Sequence, residues 1–235
     1  MSSQGPSFPP KKIIGVVLFP EFEPLDVWGF VEAFAIARNM GGIYGDISDP
    51  WCPFRVVFLA EQMAPIRSYN GPAAMPDYTL AEAPSLDLLM VPGGWGTRTA
   101  VDNRALVEWV RRAAERVALM TSVCTGAAIL ARAGLLDGRH AATNHAAFAW
   151  VTSQGPRVLW DSVSRWVEDG KYVTSAGVSA GTDMALYLVE KLAGRAVAEQ
   201  AAFLMEYDWH HDPSTPIAYP QRAPWPPMPP ITPIG

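Results

Sequence analysis

The first half of the chain alternates continuous apolar runs with segments whose apolar residues have helical spacing. Residues 12–19, KIIGVVLF, become continuously apolar after the lysine and are rich in β-branched side chains, which predicts a strand covered on both faces. Apolar positions over 26–38 have the spacing of a helix, and FRVVFLA at 54–60 predicts a second strand. LDLLMVPGG at 86–94 supplies a third buried strand. The pattern therefore opens with buried strands and an intervening helix.

The same patterns continue along the rest of the chain. A helix is predicted over 103–116, with Asp102 as its N-cap. Residues 118–138, ALMTSVCTGAAILARAGLLDG, begin as a buried strand and end as a helix. Two hairpins are predicted, with their turns at Asn70-Gly71 and Asp169-Gly170. Two successive helices are predicted over 180–194 and 196–207.

Strands that alternate with helices indicate an α/β fold with a mainly parallel sheet and helices on both faces. In such folds, ligands bind beyond the carboxyl ends of the strands. The predicted strand that ends at Val123 places Cys124 at one of these ends. We therefore expect the chemistry of the protein near Cys124.

The 235 residues suffice for one large domain with extensions. Residues 1–10 are polar and contain prolines, which predicts a flexible arm, and a single domain is expected over 11–212. From 213 to 235, nine of 23 residues are proline, which predicts an extended tail rather than a helix or an interior strand. The apolar side chains of this tail favour packing on its own domain or on a partner subunit, and disorder is the alternative.

Composition narrows the classes of partner. Apolar residues make up 49% of the chain and charged residues 17%, as in an ordered globular protein with a surface poor in charge. A net charge of -5 without a basic cluster argues against nucleic-acid binding, so small molecules are the expected partners. No apolar run reaches the roughly 20 residues of a membrane-spanning helix, and no signal-peptide pattern is recognised. We expect a cytoplasmic protein without a membrane partner.

The chain has two cysteines, Cys52 and Cys124, which do not make a disulfide framework. No metal-ligand spacing occurs in the sequence, so no metal is expected. Free thiols in a reducing compartment are the natural interpretation. Cys52 stands between Trp51 and Pro53 and is expected to be structural.

Cys124 stands where a buried strand passes directly into a helix. The local pattern is Ser-x-Cys-x-Gly, and hydrolases with a G-x-S-x-G motif hold their nucleophile at the same kind of turn. In this chain, Gly126 would let the backbone turn closely. A thiol at the start of a helix is close to unpaired N–H groups and to the positive end of the helix dipole, which lower its pKa. We therefore expect a thiolate on a cysteine nucleophile elbow. The alternative is that Cys124 packs as a small apolar residue.

A nucleophile needs a group that exchanges its proton and donors that stabilise negative charge. Asp26 follows the first strand and can approach Cys124, because loops after parallel strands lie side by side; its alternative role is that of a helix N-cap. Gly93 and Gly94 can turn N–H groups toward the same place, or form a simple turn. His145 follows a predicted strand in RHAATNH and could face the same sheet edge, which makes it a further candidate; its alternative is a packing or helix-start role.

With these residues in place, the chain resembles the ThiJ/PfpI superfamily of flavodoxin-like proteins over about residues 12–206. Within that superfamily it is similar to the isonitrile (isocyanide) hydratases. Four segments carry the similarity: FPEFEPLDVWG, VPGGWG, TSVCTGAAILARAGLLDGR and SAGVSAGTDMAL. The resemblance implies a flavodoxin-like sandwich and a homodimer.

The resemblance also implies roles for individual residues. Cys124 would be the nucleophile and Asp26 the acid that handles the proton. Thr125 would stand beside the cysteine, Gly94 would lend backbone support, and Val178 would lie near the pocket. Superfamily members that act as peptidases or glyoxalases carry His directly after the cysteine and Glu as the early acid. This chain has Thr125 and Asp26, which favours the hydratases.

The chain departs from the hydratases at two aromatic positions. Trp28 and Phe30 stand where the hydratases usually have Thr and Pro, so bulky side chains near Asp26 would reshape the pocket. Trp28, Phe30 and Trp95 are candidates for apolar pocket walls, and the core is their alternative location.

From the residues and the resemblance together, we predict that the protein is a lyase that hydrates an organic isonitrile to an N-substituted formamide. Cys124 would form a thioimidate and Asp26 would act first as an acid and then as a base. No metal or organic cofactor is expected. Two alternatives stay open: a glyoxalase or deglycase acting on α-ketoaldehydes, and a non-catalytic redox or stress sensor whose cysteine is oxidised reversibly.

Overall fold

The structure is a computed structural model that describes residues 9–39 and 51–217 of the chain. The described part contains eleven strands and seven α-helices, numbered in chain order. The strands are β1 (Lys12–Val17), β2 (Phe54–Ala60), β3 (Ile66–Arg67), β4 (Ala73–Ala74), β5 (Tyr78–Thr79), β6 (Leu88–Val91), β7 (Leu119–Ser122), β8 (His140–Ala142), β9 (Leu159–Asp161), β10 (Trp166–Asp169) and β11 (Tyr172–Ser175). The helices are α1 (Pro24–Ile36), α2 (Thr97–Ala100), α3 (Arg104–Arg116), α4 (Ala127–Arg132), α5 (Phe148–Gln154), α6 (Ala180–Ala193) and α7 (Arg195–Leu204).

Seven strands of the described chain form one sheet, in the order β10-β11-β7-β6-β1-β2-β5. Neighbouring strands run parallel, except that β10 is antiparallel to β11. In the central strand β1, Ile14 pairs with Leu88 on one side and with Val56 on the other. Because β1 lies in the middle of the sheet and is covered on both faces, Ile14, Val16 and Val17 are fully buried, which explains the continuous apolar run.

The direction of winding reverses at the centre of this sheet. From β1 the chain first adds β2 and β5 on one side and then returns to add β6, β7 and β11 on the other. The reversal therefore lies between β1 and β6. At such a point the loops that leave neighbouring strands diverge and open a crevice at the carboxyl ends of the strands. The residues that follow β1, β6 and β7 meet at this edge.

Two groups of helices cover the sheet. Helices α1, α6 and α7 contact one another, and α2, α3 and α5 each contact α4. In α3, Leu106, Val110 and Ala114 are buried at helical spacing, while the opposite face carries charged residues. The mainly parallel sheet with its helices confirms the predicted flavodoxin-like α/β fold.

The N-cap predicted for α3 is wrong by one residue. Asn103 caps the helix, because its side-chain oxygen accepts the N–H groups of Ala105 at 3.1 Å and Leu106 at 3.2 Å. Asp102 instead pairs with Arg132 on the surface, at 3.2 Å. Asp and Asn are about equally favourable N-caps, so local preference does not separate the two neighbours.

Both predicted hairpins are present, and one predicted strand has an unexpected partner. β3 and β4 flank Asn70, whose φ is 50°, and β10 and β11 flank Gly170, whose φ is 64°. The RHAATNH segment contains β8, but β8 pairs with β9 in a separate two-stranded sheet. His145, which follows β8, is therefore not placed by a strand of the main sheet.

Most of the predicted arm (1–10) and tail (213–235) lies outside the described residues, and so do residues 40–50, which belong to a Gly-rich insertion at 40–52 between the first helix and the second strand of the sequence pattern. Within the described residues, no helix has the length and apolar character that a membrane crossing requires.

The segment after α7 is attached beside a buried ion pair between Arg165, which precedes β10, and Asp183 in α6. Nε of Arg165 lies 3.2 Å from a carboxylate oxygen of Asp183, and both side chains are buried. The indole N–H of Trp209 donates to the Asp183 carbonyl at 3.1 Å, and the Arg165 N–H donates to the carbonyl of Pro213 at 2.8 Å. The beginning of the proline-rich segment is thus attached to the domain.

Candidate active site

Cys124 occupies a sharp turn between β7 and α4. Strand β7 ends at Ser122, and a 3₁₀ turn over Cys124–Gly126 leads directly into the helix. Cys124 has a φ of 58°, in the left-handed region that side chains other than glycine adopt at a cost of about 1–3 kcal/mol. Its N–H donates to the carbonyl of Ala176 at 3.2 Å, which fixes the turn to the end of β11. The strained turn holds the cysteine at the carboxyl edge of the sheet.

Gly126 permits this turn by close packing rather than by unusual torsion angles. Its φ of -58° is an ordinary helical value. A Cβ atom at this position would lie 2.2 Å from the carbonyl oxygen of Val91 and 2.7 Å from that of Pro92. The end of β6 therefore passes directly against the start of the helix, and this contact leaves no room for a side chain.

Asp26 lies in the first turn of α1, and its carboxyl group faces the turn that holds Cys124. Helix α1 begins at Pro24 with Glu23 as its N-cap, so the alternative role of Asp26 as an N-cap is wrong. Oδ2 of Asp26 accepts the N–H of Gly93 at 2.8 Å. Oδ1 is buried and receives no N–H or O–H from the residues that the structure describes. The thiol of Cys124 lies within hydrogen-bonding reach of this carboxyl group.

Burial raises the pKa of Asp26 well above its usual range, while the Gly93 N–H opposes the rise. Burial also raises the pKa of the Cys124 thiol, and the neighbouring Asp26 charge adds to this rise. The lowered thiol pKa expected from a helix N-terminus is therefore wrong, because loss of solvent outweighs the few donors at this short turn. The two groups oppose a second negative charge and lose their protons as one coupled pair.

Thr125 and Gly94 belong to a buried hydrogen-bond network behind the cysteine. The N–H of Gly94 donates to the hydroxyl of Thr125 at 3.1 Å, and the hydroxyls of Thr97 and Thr125 are 3.0 Å apart. Both candidate glycine N–H groups therefore point to the predicted place, but each is occupied within the protein. Gly93 holds Asp26 and Gly94 holds Thr125, so in this structure they position side chains of the site.

Asn144 is a site residue that the sequence reasoning missed. Its side-chain amide donates to the sulfur of Cys124, which lowers the thiol pKa against the larger effect of burial. Its side-chain oxygen accepts the N–H of Ala147 at 2.9 Å, so the amide is held in one orientation. The neighbouring hydroxyl of Thr143 donates to the Cys124 carbonyl at 2.9 Å. The available signal was the polar TNH run directly after a predicted strand.

Val178 follows the residue that contacts the Asn144 amide. Gly177, which precedes it, packs directly against the Asn144 side chain. Val178 is half-buried against the core, and its carbonyl accepts the N–H of Gly181 at the start of α6. This places the predicted pocket residue on the β11 side of the site.

Glu23 supplies a second carboxyl group that the sequence reasoning also missed. Its N–H donates to the carbonyl of Gly93 at 2.9 Å, beside the bond between Gly93 and Asp26. Burial raises the pKa of Glu23, and its negative charge contributes to the raised pKa values of Asp26 and Cys124. The site therefore contains two carboxyl groups near one thiol.

Two of the predicted candidates lie elsewhere. Trp28 is 41% exposed and packs edge-on against Phe58, with ring centroids 5.3 Å apart. Two residues along a helix turn a side chain to nearly the opposite side, so Trp28 points away from the direction of Asp26. Phe30 is fully buried and packs on Phe34, so it belongs to the core.

His145 is half-buried, and burial lowers its pKa. The negative charge of Asp161 in β9 opposes this effect, because His145 lies beside the small β8–β9 sheet. In the described part of the chain, carboxyl, backbone N–H and amide groups shift the pKa of the Cys124 thiol, and the Arg98 charge also interacts with Cys124. The site thus contains a cysteine–carboxyl pair, and no cluster of His, Cys, Asp or Glu in the described ranges could hold a metal ion.

A half-buried aromatic group borders the site on the Gly94 side. Trp95 stacks on Tyr69 with ring centroids 6.3 Å apart. The guanidinium carbon of Arg98 lies 4.6 Å from the ring centre of Trp95 and 4.4 Å from that of Trp150. Of the aromatic candidates named from the sequence, Trp95 is therefore the one beside the site.

The chain is similar to known proteins in sequence and in structure. Residues 12–191 match the model of the DJ-1/PfpI family. An isonitrile hydratase from Pseudomonas putida is 30% identical over 194 residues, which cover 83% of this chain and 78% of the hydratase. The HTH-type transcriptional regulator CdhR from Pseudomonas aeruginosa is 31% identical over 79% of this chain, which spans only 52% of the regulator. The crystal structure of a ThiJ/PfpI family protein from Pseudomonas syringae has a TM-score of 0.73 at 28% identity, with 84% of this chain and 76% of that chain covered.

Proposed function

The chain belongs to the DJ-1/PfpI family, and on that premise we propose that it hydrates an organic isonitrile to an N-substituted formamide. The observation that carries the proposal is the placement of the Asp26 carboxyl within reach of the Cys124 thiol, with its pKa raised by burial. A buried acid whose pKa is raised in this way can deliver its proton to a carbon atom bonded to the sulfur. The similarity to a hydratase from Pseudomonas putida supports the same chemistry.

The first step joins the sulfur to the terminal carbon of the isonitrile. In the reacting form of the pair, the sulfur is the thiolate and Asp26 holds the proton. The thiolate electron pair forms the S–C bond while the carbon takes the Asp26 proton, giving a thioimidate and an Asp26 carboxylate. The Thr125 N–H and the Asn144 amide stabilise the thiolate before attack, because both donate to the sulfur.

The second step adds water to the thioimidate. The Asp26 carboxylate takes a proton from water as its oxygen bonds to carbon, and passes this proton to the substrate nitrogen. The tetrahedral intermediate then collapses: Asp26 takes the hydroxyl proton, the C–S bond breaks and the thiolate leaves. The products are the N-substituted formamide and the original pair, with Asp26 protonated. One carboxyl group therefore serves every proton transfer.

Turnover of an aryl isonitrile by the purified protein tests this proposal. Wild type is expected to form the formamide, Cys124→Ala to form none, and Asp26→Asn to be slower by at least about 100-fold, the usual contribution of general acid–base catalysis. Cys52→Ala is the matched control and should retain activity, because its thiol lies in the core and donates to the backbone carbonyls of Phe34 and Phe54.

A parallel assay with methylglyoxal tests the glyoxalase alternative. Its turnover in place of isonitrile hydration would overturn the proposal. Modification of Cys124 by peroxide without turnover of either compound would favour the sensor. The homodimer implied by the family resemblance is a separate proposal, which sedimentation equilibrium tests directly.

A further inference from the structure

Arg98 is a cation held in place at the border of the site. Its guanidinium carbon lies 4.6 Å from the ring centre of Trp95 and 4.4 Å from that of Trp150, and cation–π contacts of this kind stabilise a partly desolvated charge. Nη1 donates to the carbonyl of Gly94 at 3.2 Å and lies 3.4 Å from the hydroxyl of Thr97. Four contacts, from the turn before α2, from α2 itself and from α5, thus fix a side chain that is usually mobile.

The fixed guanidinium has no carboxylate partner in the described part of the chain. Arg165 is buried and has Asp183 at 3.2 Å, and Arg139 is half-buried and has Asp169 at 3.1 Å. The contacts of Arg98, in contrast, are two rings, a carbonyl and a hydroxyl. Burial of a positive charge without a counter-ion is unfavourable. An arrangement that stabilises such a charge through aromatic rings leaves it available to an anion from solution.

The position of Arg98 connects it to the reacting sulfur. The Gly94 carbonyl that accepts from Arg98 also accepts from the hydroxyl of Thr125 at 3.2 Å, and Thr125 directly follows Cys124. The Arg98 charge interacts with Cys124. This interaction raises the pKa of Arg98, whereas burial lowers it by a larger amount. A substrate bound to the sulfur therefore lies within the field of this cation.

We propose that Arg98 binds a carboxylate group of the substrate, so that the preferred substrates are isonitriles that carry a carboxylate. Contact through the faces of the rings leaves N–H groups on the edge of the guanidinium, and a carboxylate binds such an edge in its plane. A singly charged carboxylate fits better than a phosphate, because Asp26 and Glu23 lie near the same sulfur and disfavour a dianion. The isonitrile part of this statement rests on the proposed function, whereas the selection of an anion does not.

Alkylation of Cys124 separates the charge selection from catalysis. Iodoacetate and iodoacetamide have nearly the same size and differ in charge, and both need the thiolate, so the ratio of their rate constants cancels any change in the thiol pKa. Arg98→Met is expected to lower the iodoacetate-to-iodoacetamide ratio by about tenfold, as the loss of one nearby charge predicts. Arg98→Lys keeps the charge and is expected to keep most of the ratio.

Arg132→Met is the matched control, because Arg132 lies on α4 in a surface ion pair with Asp102. It should leave the ratio unchanged. Alkylation is measured by peptide mass spectrometry, which separates Cys124 from Cys52. The wild-type ratio should also fall toward that of Arg98→Met in molar salt, a result that does not depend on the folding of any variant. An equal ratio in wild type and folded Arg98→Met, or a wild-type ratio that salt does not change, would overturn the proposal.

Turnover extends the test to the substrate. The ratio of kcat/KM for 4-isocyanobenzoate to that for phenyl isocyanide is expected to fall about tenfold in Arg98→Met. If wild type hydrates neither compound, the proposed function fails, and the alkylation ratio still decides the role of Arg98. If both are hydrated and Arg98→Met leaves their ratio unchanged, the proposed function stands and the carboxylate site is wrong.

Discussion

The N–H of Gly93 donates to Oδ2 of Asp26 at 2.8 Å, across 67 residues of sequence. This bond joins the end of β6 to the first turn of α1, the helix that follows β1. It therefore spans the point between β1 and β6 where the winding of the sheet reverses. It fixes one carboxyl oxygen and leaves Oδ1 buried, without an N–H or O–H donor from the described residues. The acid is thus held by backbone, and its protonation depends on the buried surroundings that it shares with Cys124.

The stability of the protein should report the protonation of Asp26. Burial raises its folded-state pKa above the usual 3.8, so below that value both the folded and the unfolded chain hold the proton. As the pH rises from 3.8 through the folded-state pKa, the unfolded chain loses the proton first, and stability is lost. We predict that the difference in Tm, Asp26→Asn minus wild type, increases by about 3 °C or more as the pH rises over this range.

Differential scanning calorimetry of both proteins across acidic and neutral pH measures this difference. Asp102→Asn, a change in a surface ion pair, is the control and should show little pH dependence. A Tm difference between Asp26→Asn and wild type that is constant or falls with pH would show that Asp26 is ionised in the folded protein.

The sequence was sufficient to predict the central part of the fold. Strands β1 and β6 lie within the apolar runs at 12–19 and 86–94 and are buried on both faces of a parallel sheet, which requires continuous apolar runs that are easy to recognise. Strand β2 at 54–60 is less buried, with Arg55 exposed, but its apolar run is equally clear. The approach of Asp26 to Cys124 followed from the same rule, because both stand just after parallel strands. Strand order alone brings these two side chains to one edge.

Other parts of the site depend on contacts that no local pattern encodes. Asn144 reaches Cys124 from beside a small separate sheet, and the position of Arg98 depends on two tryptophans, Trp95 in the turn before α2 and Trp150 in α5. The pKa of Cys124 was predicted with the wrong sign, because the helix start is visible in the sequence whereas the extent of burial is not. Asp102 and Asn103 are similar N-caps, and only the path of the chain selects between them.

Asn144 should control the availability of the thiolate. Its amide donates to the sulfur, and a hydrogen bond to a charged group contributes about 1.5–3 kcal/mol. We predict that Asn144→Ala raises the Cys124 pKa further and slows alkylation by iodoacetamide at a fixed pH by about tenfold. The rate of alkylation as a function of pH gives the pKa. His145→Ala is the neighbouring control and should leave the profile unchanged, since the charged partner of His145 is Asp161; a profile that shifts equally in both variants would contradict the assigned role of Asn144.

Gly126→Ala should destabilise the fold. The added methyl group would lie 2.2 Å from the Val91 carbonyl oxygen, and backbone must move to relieve the clash. We predict a loss of about 3 kcal/mol or more, which lowers the Tm by roughly 6 °C or more in a domain of this size. Gly138→Asn is the comparison, because the space around Gly138 is open and Asn tolerates its φ of 70°. Similar Tm values for the two variants would mean that the end of β6 does not pack against Gly126.

The ion pair between Arg165 and Asp183 should matter more than the surface pairs. Arg165→Met removes one partner and leaves a fully buried carboxylate without its cation, which costs about 3–5 kcal/mol. Arg157→Met, which breaks an exposed pair with Asp137, should cost less than about 1 kcal/mol. Urea unfolding of both variants measures the difference. Equal losses would contradict the stabilising role given to the buried pair.

The central claim is that Cys124 forms a covalent bond to the isonitrile carbon with a proton from Asp26. Rapid acid quench of the protein during turnover of an aryl isonitrile, followed by intact-mass and peptide analysis, detects that bond directly. Wild type is predicted to gain the mass of one isonitrile on the Cys124 peptide, and Asp26→Asn to gain it at least about 100-fold more slowly. Formamide production without this adduct, or an adduct that forms at the wild-type rate in Asp26→Asn, would contradict the mechanism.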